Sequence, residues 1–322
     1  MEYGSLAGVS RPISRVVQGT GDLAMMDEEQ SFALLDAVFE AGINTIDTAH
    51  DYGDGAVERR LGQWMHERGL RDRIVIISKG AHHNLDRKRV TPYDITADLH
   101  DSLARLQTDH IDIYILHRDD PTQPVGPIVE TLNEHQRAGK IGVFGGSNWS
   151  HGRIRDANTY AAAHGLTPFS VSSSAFSLAE MIHEPWPGCI SIAGEAGAAA
   201  RAWYLEQAMP ILAWSSLAGG FLSGRFTPDN QDTFTSEADL RALYAYGSEA
   251  NFRRLARAQA LAADKQVTLA QIAVAYVLNQ PLDMYALIAP VNGGEVAQNI
   301  AAANLKLTPG EVAWLDLRTD TR

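Results

Sequence analysis

Eight short runs rich in Ile and Val recur along the chain: Ile13 to Val17, Ile43 to Ile46, Ile74 to Ile77, Ile111 to Leu116, Ile141 to Phe144, Phe169 to Val171, Ile211 to Trp214 and Met284 to Ile288. Each is nearly continuous in apolar character, where a half-exposed strand would alternate, so the pattern predicts parallel strands covered on both faces. Between the runs the period becomes helical. Ser31 to Ala41 places Phe32, Leu35, Val38 and Phe39 on one face, and Tyr93 to Leu106 does the same with Ile95, Leu99, Leu103 and Leu106. Further helices are predicted over Val57 to His66, Pro127 to Ala138, Arg153 to Ala163, Arg253 to Ala263 and Leu269 to Leu278, the last with Thr268 as its N-cap.

Eight strand-then-helix units of roughly 30 to 40 residues predict a (β/α)8 TIM barrel with right-handed crossovers. A doubly wound sheet would need fewer strands and a G-x-G-x-x-G turn at the first helix, and that fingerprint does not occur. No low-complexity tract or charge run marks a linker, so residues 1–322 are expected to form one domain. Two connections are long, Ser177 to Ala200 after the sixth run and Gly219 to Ser248 after the seventh. Loops of that length carry function or short helices of their own.

Several runs end in a polar group. Asp47 follows INTI, Ser78 and Lys79 follow IVII, His117 follows IDIYIL, and Ser147 with Asn148 follows IGVFGG. Asp47, Lys79, His117 and Ser147 are separated by 32, 38 and 30 residues, one βα unit each, so a barrel brings them to one rim. Any one of them alone reads as an ordinary loop or core residue; four consecutive strand ends with such groups do not. Tyr52, five residues after Asp47, curls back over the same rim. The set suits proton donation to a carbonyl. A free tyrosine, with a pKa near ~10, is a poor acid unless a cation steadies its phenolate. Lys79 is that cation, Asp47 keeps it charged, and His117 orients the carbonyl oxygen. No side chain can supply hydride, so a cofactor is implied.

Composition narrows the partners. The chain has 322 residues, 45% hydrophobic and 20% charged, a globular balance that excludes a disordered or collagen-like chain. Lys and Arg total 27 against 39 Asp and Glu, a net charge of −12, which disfavours a grip on nucleic acid or anionic lipid. The single Cys189 excludes an intramolecular disulfide and a multi-cysteine zinc site and fits a reducing compartment. There is no run of 18 apolar residues and no secretory n- and h-region at the N-terminus, so the expected location is cytoplasmic. His50, His82, His83, His117 and Asp119 also fall at strand ends, the rival pattern of a metal-dependent barrel hydrolase, although no strand carries a His-x-His pair.

In its motifs the chain resembles the aldo-keto reductase superfamily. GINTIDTAHDYGDGAVERRLG (Gly42 to Gly62), ISKG (Ile77 to Gly80), LHRDD (Leu116 to Asp120), KIGVFGGSNWS (Lys140 to Ser150) and AWSSLAGGFLSG (Ala213 to Gly224) stand in the family's order, and the resemblance runs from about Gly19 to Leu307. It implies a catalytic tetrad of Asp47, Tyr52, Lys79 and His117, with Tyr52 as general acid. It further implies NADPH, extended across the barrel mouth. Ser147 and Asn148 would hold the carboxamide, Trp214 would stack on the nicotinamide, Ser215, Leu217 and Gly219 would wrap the pyrophosphate, and Gln298 and Asn299 would meet the adenine, with Gly19 and Thr20 completing the set. Ser173 stands where the family usually has a Gln. Glu295 stands where NADPH-preferring relatives commonly have Arg; a carboxylate there repels a 2′-phosphate and accepts from a 2′-hydroxyl, which leaves NADH open beside NADPH. Alternatively Glu295 merely suits the first turn of a helix. The matching segments place His50, Trp149 and the loop with Met181, His183, Trp186 and Pro187 around an aldehyde, ketone, sugar or keto-sugar. A cofactor-binding regulatory barrel with little turnover is the other reading of the same residues.

Overall fold

The computed structural model describes residues 1–322. The chain opens with a two-stranded antiparallel ladder, β1 (Tyr3–Gly4) against β2 (Ile13–Ser14), before the barrel begins. The first predicted run is therefore divided: Ile13 belongs to the ladder, Val16 and Val17 to the barrel. Arg15 breaks it, because its guanidinium lies 4.4 Å from the Tyr285 ring centroid and is paired with Asp283.

The barrel strands are β3 (Val16–Gly19), β4 (Thr45–Asp47), β5 (Val75–Gly80), β6 (Ile111–Leu116), β7 (Ile141–Ser147), β8 (Val171–Ser173), β9 (Ile211–Ala213) and β10 (Met284–Ile288). They are all parallel, each beside the next, and β10 returns to β3 to close the (β/α)8 barrel. Alternate residues point inward. Val17, Val75, Ile77, Ile113, Ile115, Val143, Val171, Leu212, Tyr285 and Leu287 fill the interior as one apolar cluster, capped from below by Leu6 and Ile13 of the ladder segment. The other parity, including Val16, Ile46, Ile76, Tyr114 and Phe144, packs outward under the helices. Carried to the C-terminal strand ends, the inward parity falls on Gly19, Asp47, Lys79, His117, Ser147, Ser173 and Trp214. Strand alternation thus aims the polar rim residues at one another.

The helices are α1 (Glu28–Glu40), α2 (Ala56–Arg68), α3 (Pro92–Leu106), α4 (Val125–Arg137), α5 (His151–Ala163), α6 (Ala198–Glu206), α7 (Glu237–Tyr246), α8 (Glu249–Lys265), α9 (Leu269–Leu278), α10 (Gly293–Ala303) and α11 (Pro309–Leu315). Thr268 caps α9 as expected, in a capping box with Gln271. The first long connection runs into α6 at its end, the second contains α7, and α10 and α11 were not among the predicted helices. Both end helices carry capping signals, Asn292 before α10 and a Thr308–Glu311 box with Pro309 before α11. No helix is long and apolar enough to cross a membrane.

Gly145 sits opposite Val171 in the β7–β8 pairing, and a Cβ there would land on the Val171 carbonyl oxygen. Gly145→Ala should cost about 1–3 kcal/mol in urea unfolding. Gly152→Ala in α5, where the nearest atom to a new Cβ is 3.8 Å away, should be neutral or stabilising in the same measurement.

Candidate functional site

The centre of the mouth is an ion pair. Lys79 Nζ donates to Asp47 Oδ2 at 2.6 Å, to the Thr48 carbonyl at 2.9 Å and to the Tyr52 hydroxyl at 3.4 Å. Lys79 and Asp47 are each only 3% exposed, so neither charge is solvated by bulk water. Burial alone would strip the proton from Lys79; the Asp47 carboxylate and Tyr52 outweigh it and hold the ammonium above its ordinary pKa. Tyr52 reaches the pair through a short turn, Tyr52–Gly55, whose Gly53 and Asp54 adopt left-handed conformations before α2. Its hydroxyl is pushed up by burial, an effect that Lys79 opposes and that Asp47 and Asp51 reinforce. Two carboxylates share the cavity with one cation, so Lys79 steadies the phenolate without bringing the phenol below its ordinary value. Tyr52 holds its proton at neutral pH and has a cation beside it to receive the charge left when the proton departs.

His117 closes the other side, its ring edge-on to Tyr52 at 5.9 Å between centroids. Its Nδ1 bonds Asp51 Oδ1 at 2.9 Å. His82 stands against the same ring at 4.7 Å, with Nε2 3.9 Å from Asp51 Oδ2, and Arg118 Nε donates to that nitrogen at 3.4 Å. Burial draws the pKa of His117 down to about 4, although Asp51 pulls it upward; Lys79 and His82 add to the depression. Despite burial, the hydrogen bond and charge of His117 hold the Asp51 carboxyl well below the usual carboxylate range. Asp51 was not singled out from sequence, and neither was Arg118. Their contacts join positions far apart in the chain, which no local pattern records.

The remaining residues expected to meet a dinucleotide are placed as follows. Ser173 Oγ, Trp214 Nε1 and Asp47 Oδ1, all on the inward parity at strand ends, are buried with no hydrogen-bond partner in the protein, which fits a polar ligand at the mouth. Gly19 pairs with Asp47 across β3 and β4, and Thr20 Oγ1 donates to the Asp47 carbonyl at 2.9 Å. Ser147 is buried. Asn148, at φ 58, donates to Ser147 Oγ at 3.2 Å and to the His117 carbonyl at 3.3 Å and accepts from Ile190 N at 3.0 Å, so its amide braces the mouth. After β9, Ser215, Ala218, Gly219 and Gly220 all have positive φ, and Ser215 Oγ accepts from Gly219 N at 2.8 Å; Leu217 lies within this tight loop. At α10, Asn299 is buried and Gln298 exposed. Glu295 turns back on its own helix, accepting from Val291 N and Asn292 Nδ2, each at 3.0 Å. Burial, with a smaller contribution from the Glu295 charge, raises the Asp22 carboxyl.

The substrate set from sequence needs correction at two positions. Trp149 is fully buried, its Nε1 donating to the Arg118 carbonyl at 3.1 Å and its ring 5.1 Å from Phe169, so it supports the wall from behind. His50 turns outward to α3, where Nε2 is 3.3 Å from Asp101 and 3.6 Å from Asp98. Trp186 lies at the outer lip, 45% exposed, with the Arg241 guanidinium 5.0 Å from its ring centroid. His183 stacks on Tyr244 at 4.6 Å. Of the histidines in the metal reading, His82 and His117 approach one another with Asp51, ligand-type atoms within 4.8 Å. Asp119 is committed to Arg153 at 3.2 Å, and His50 to α3. A hydrogen bond from His117 to Asp51 accounts for the tightest of these contacts.

A family model described as Aldo/keto reductase family matches residues 15–317. A Saccharomyces cerevisiae protein called a probable aryl-alcohol dehydrogenase, AAD4, is 28% identical over 307 residues, covering 91% of this chain and 89% of that one. The aryl-alcohol dehydrogenase [NADP(+)] of Phanerodontia chrysosporium is 26% identical over 320 residues, with 91% of this chain and 77% of that one aligned. Among solved structures, the glycerol dehydrogenase of Gluconobacter oxydans superposes with a TM-score of 0.81 over 98% of this chain and 94% of that one, at 21% identity, a likeness of fold.

The depressed pKa of His117 has a measurable sign. Because its folded value, about 4, lies below the unfolded 6.5, the neutral ring's contribution to stability is complete above pH 6.5 and is lost as pH falls toward 4. An NMR titration should leave the His117 ring neutral down to about pH 5, and His117→Asn should flatten the loss of unfolding free energy across that acidic window. A midpoint near the ordinary histidine value would show that the ring is solvated.

Proposed function

The chain belongs to the aldo/keto reductase family, and from that premise we propose that it interconverts an aldehyde or ketone and the corresponding alcohol, with Tyr52 as the general acid in reduction. The observation that carries this reading is the linear contact of Asp47, Lys79 and the Tyr52 hydroxyl, 2.6 and 3.4 Å per step, beside an edge-on His117. When bound, a nicotinamide dinucleotide supplies the hydride. The Tyr52 hydroxyl gives its proton to the carbonyl oxygen, and the Lys79 ammonium stabilises the phenolate left behind. Asp47 keeps Lys79 charged in a place where burial would neutralise it. In the oxidative direction the same phenolate takes the proton back from the alcohol.

The partnerless Ser173 hydroxyl and Trp214 indole N–H, with Ser147 nearby, would hold the nicotinamide end of the cofactor, and the left-handed loop at Ser215 to Gly220 would carry the pyrophosphate. The Phanerodontia relative is named for NADP(+), which favours NADPH. A carboxylate at Glu295, in the first turn of α10, would repel a 2′-phosphate, which favours NADH. We therefore assign NADPH first, with NADH as the alternative that Glu295 keeps open. The names of the relatives bring aromatic aldehydes among the substrates, beside sugars and keto-sugars. The net charge of −12 and the lone Cys189 support a small-molecule enzyme of the cytoplasm, without a nucleic-acid partner.

Tyr52→Phe should lower kcat by about 10²- to 10⁴-fold while the fluorescence-titrated affinity for NADPH stays within about twofold; unchanged turnover removes Tyr52 as the acid. Glu295→Arg should move the ratio of NADPH to NADH efficiencies toward NADPH by about tenfold or more, since an opposite charge would replace a repulsive one. An unaltered ratio would show that Glu295 serves its helix alone.

A further inference from the structure

Carbonyl reduction makes no use of Asp51, His82 and His117 as a set, yet the three stand together at the mouth, with ligand-type atoms all within 4.8 Å of one another. Metal bonds of about 2.0–2.1 Å give a tetrahedral site edges of about 3.3–3.4 Å. Two edges of the cluster bracket that length: Asp51 Oδ1 is 2.9 Å from His117 Nδ1, and Asp51 Oδ2 is 3.9 Å from His82 Nε2. Shifts of about half an ångström reconcile them. His82 is already in the tautomer that a metal needs. Its Nδ1 lies 2.8 Å from the His83 carbonyl, which can only accept, so the proton is on Nδ1 and Nε2 presents its lone pair. A backbone carbonyl on the far nitrogen is the contact that commonly orients a metal-ligating imidazole. Arg118 Nε donates to this lone pair at 3.4 Å, a long bond, while its Nη1 has the Pro187 carbonyl at 3.3 Å and Cys189 Sγ at 3.5 Å, so the guanidinium can yield without being stranded. The side chains of Asp51, His82 and His117 are 33%, 30% and 12% exposed, which gives an ion from solvent a way in.

We propose that Asp51, His82 and His117 form an inhibitory site for a divalent cation of the zinc class, held by two imidazoles and one carboxylate with water completing the tetrahedron. Two nitrogens and one oxygen suit zinc and its borderline-soft neighbours and do not suit magnesium or calcium. The ion takes the place of the proton between Asp51 and His117, and the ring stays neutral by carrying its proton on Nε2. His117 is then tied to a metal beside Tyr52, where it would otherwise attend the carbonyl, and turnover stops until the ion leaves. Three protein ligands are one short of a closed structural site, and Lys79 and Arg118 are cations at the same mouth, so the occupant is exchangeable. This is the reverse of a metal-dependent hydrolase, since here the ion silences the protein. Binding of the ion stands apart from the reductase reading, whereas the inhibition rests on it.

The test titrates the full chain with Zn²⁺ by calorimetry and with Co²⁺ by visible absorption, whose bands separate tetrahedral from octahedral coordination. The wild type should take up one ion of either kind in this site and give the tetrahedral cobalt spectrum. His82→Ala, a change at a part-exposed side chain whose folding thermal unfolding verifies, should bind about tenfold or more weakly and lose that spectrum. In aldehyde reduction at saturating cofactor, Zn²⁺ at about ten times its wild-type Kd should lower the wild-type rate about tenfold. The same concentration should lower His82→Ala by about twofold or less relative to its own zinc-free rate. A chelator should restore the wild type, and Mg²⁺ should leave it unchanged. Failure to bind zinc, an octahedral cobalt spectrum, or an affinity or inhibition equal in His82→Ala and the wild type overturns the proposal. If the zinc-free protein reduces no aldehyde and Tyr52→Phe alters nothing, the reductase reading has failed, and the two cobalt spectra still decide the metal site.

Discussion

Two opposite charges in a space closed to bulk water fix the chemistry of this protein. The Lys79–Asp47 pair sits at the top of the barrel, where the desolvation of either ion alone would cost several kcal/mol. Neither can be removed without stranding the other, so the pair is best understood as a single group that presents one positive face to Tyr52. The barrel makes this affordable because Val75, Ile77 and Thr45 beneath it are fully buried. A looser interior would admit water and screen the cation from the phenol.

Strand alternation explains why so much of this site could be read from sequence. Asp47, Lys79, His117, Ser147 and Trp214 lie at the ends of apolar runs and on the parity that faces inward, so once a barrel is inferred their convergence follows. The same reasoning fails one or two residues later. Asn148 takes a left-handed conformation, and the chain turns so that Trp149 enters the layer behind β7 and does not face the mouth. His50, three residues beyond the last strand residue Asp47, swings toward acidic groups on α3. Periodicity predicts side-chain direction within a strand and says nothing once the strand has ended.

The helices show the same boundary between local and non-local information. Those with a wide apolar face, such as α3 and α8, were legible from period alone. The Ala-rich face of α10 and the seven-residue α11 offered little periodicity, and their signals were the caps: Asn292, and Thr308 with Glu311. Asp51 and His82 belong to a third category. They acquire meaning through contacts across strand ends, and the 66 residues between Asp51 and His117 hold no local trace of the bond.

The ladder beneath the barrel sets the traffic through it. Leu6 and Ile13 stopper the interior at the N-terminal end, and the apolar fill above them leaves no passage between the strands. Everything that reacts must come and go through the same face. Where one of two molecules sharing a doorway covers the other, the deeper is first in and last out, and the packed floor of the barrel gives it no other way.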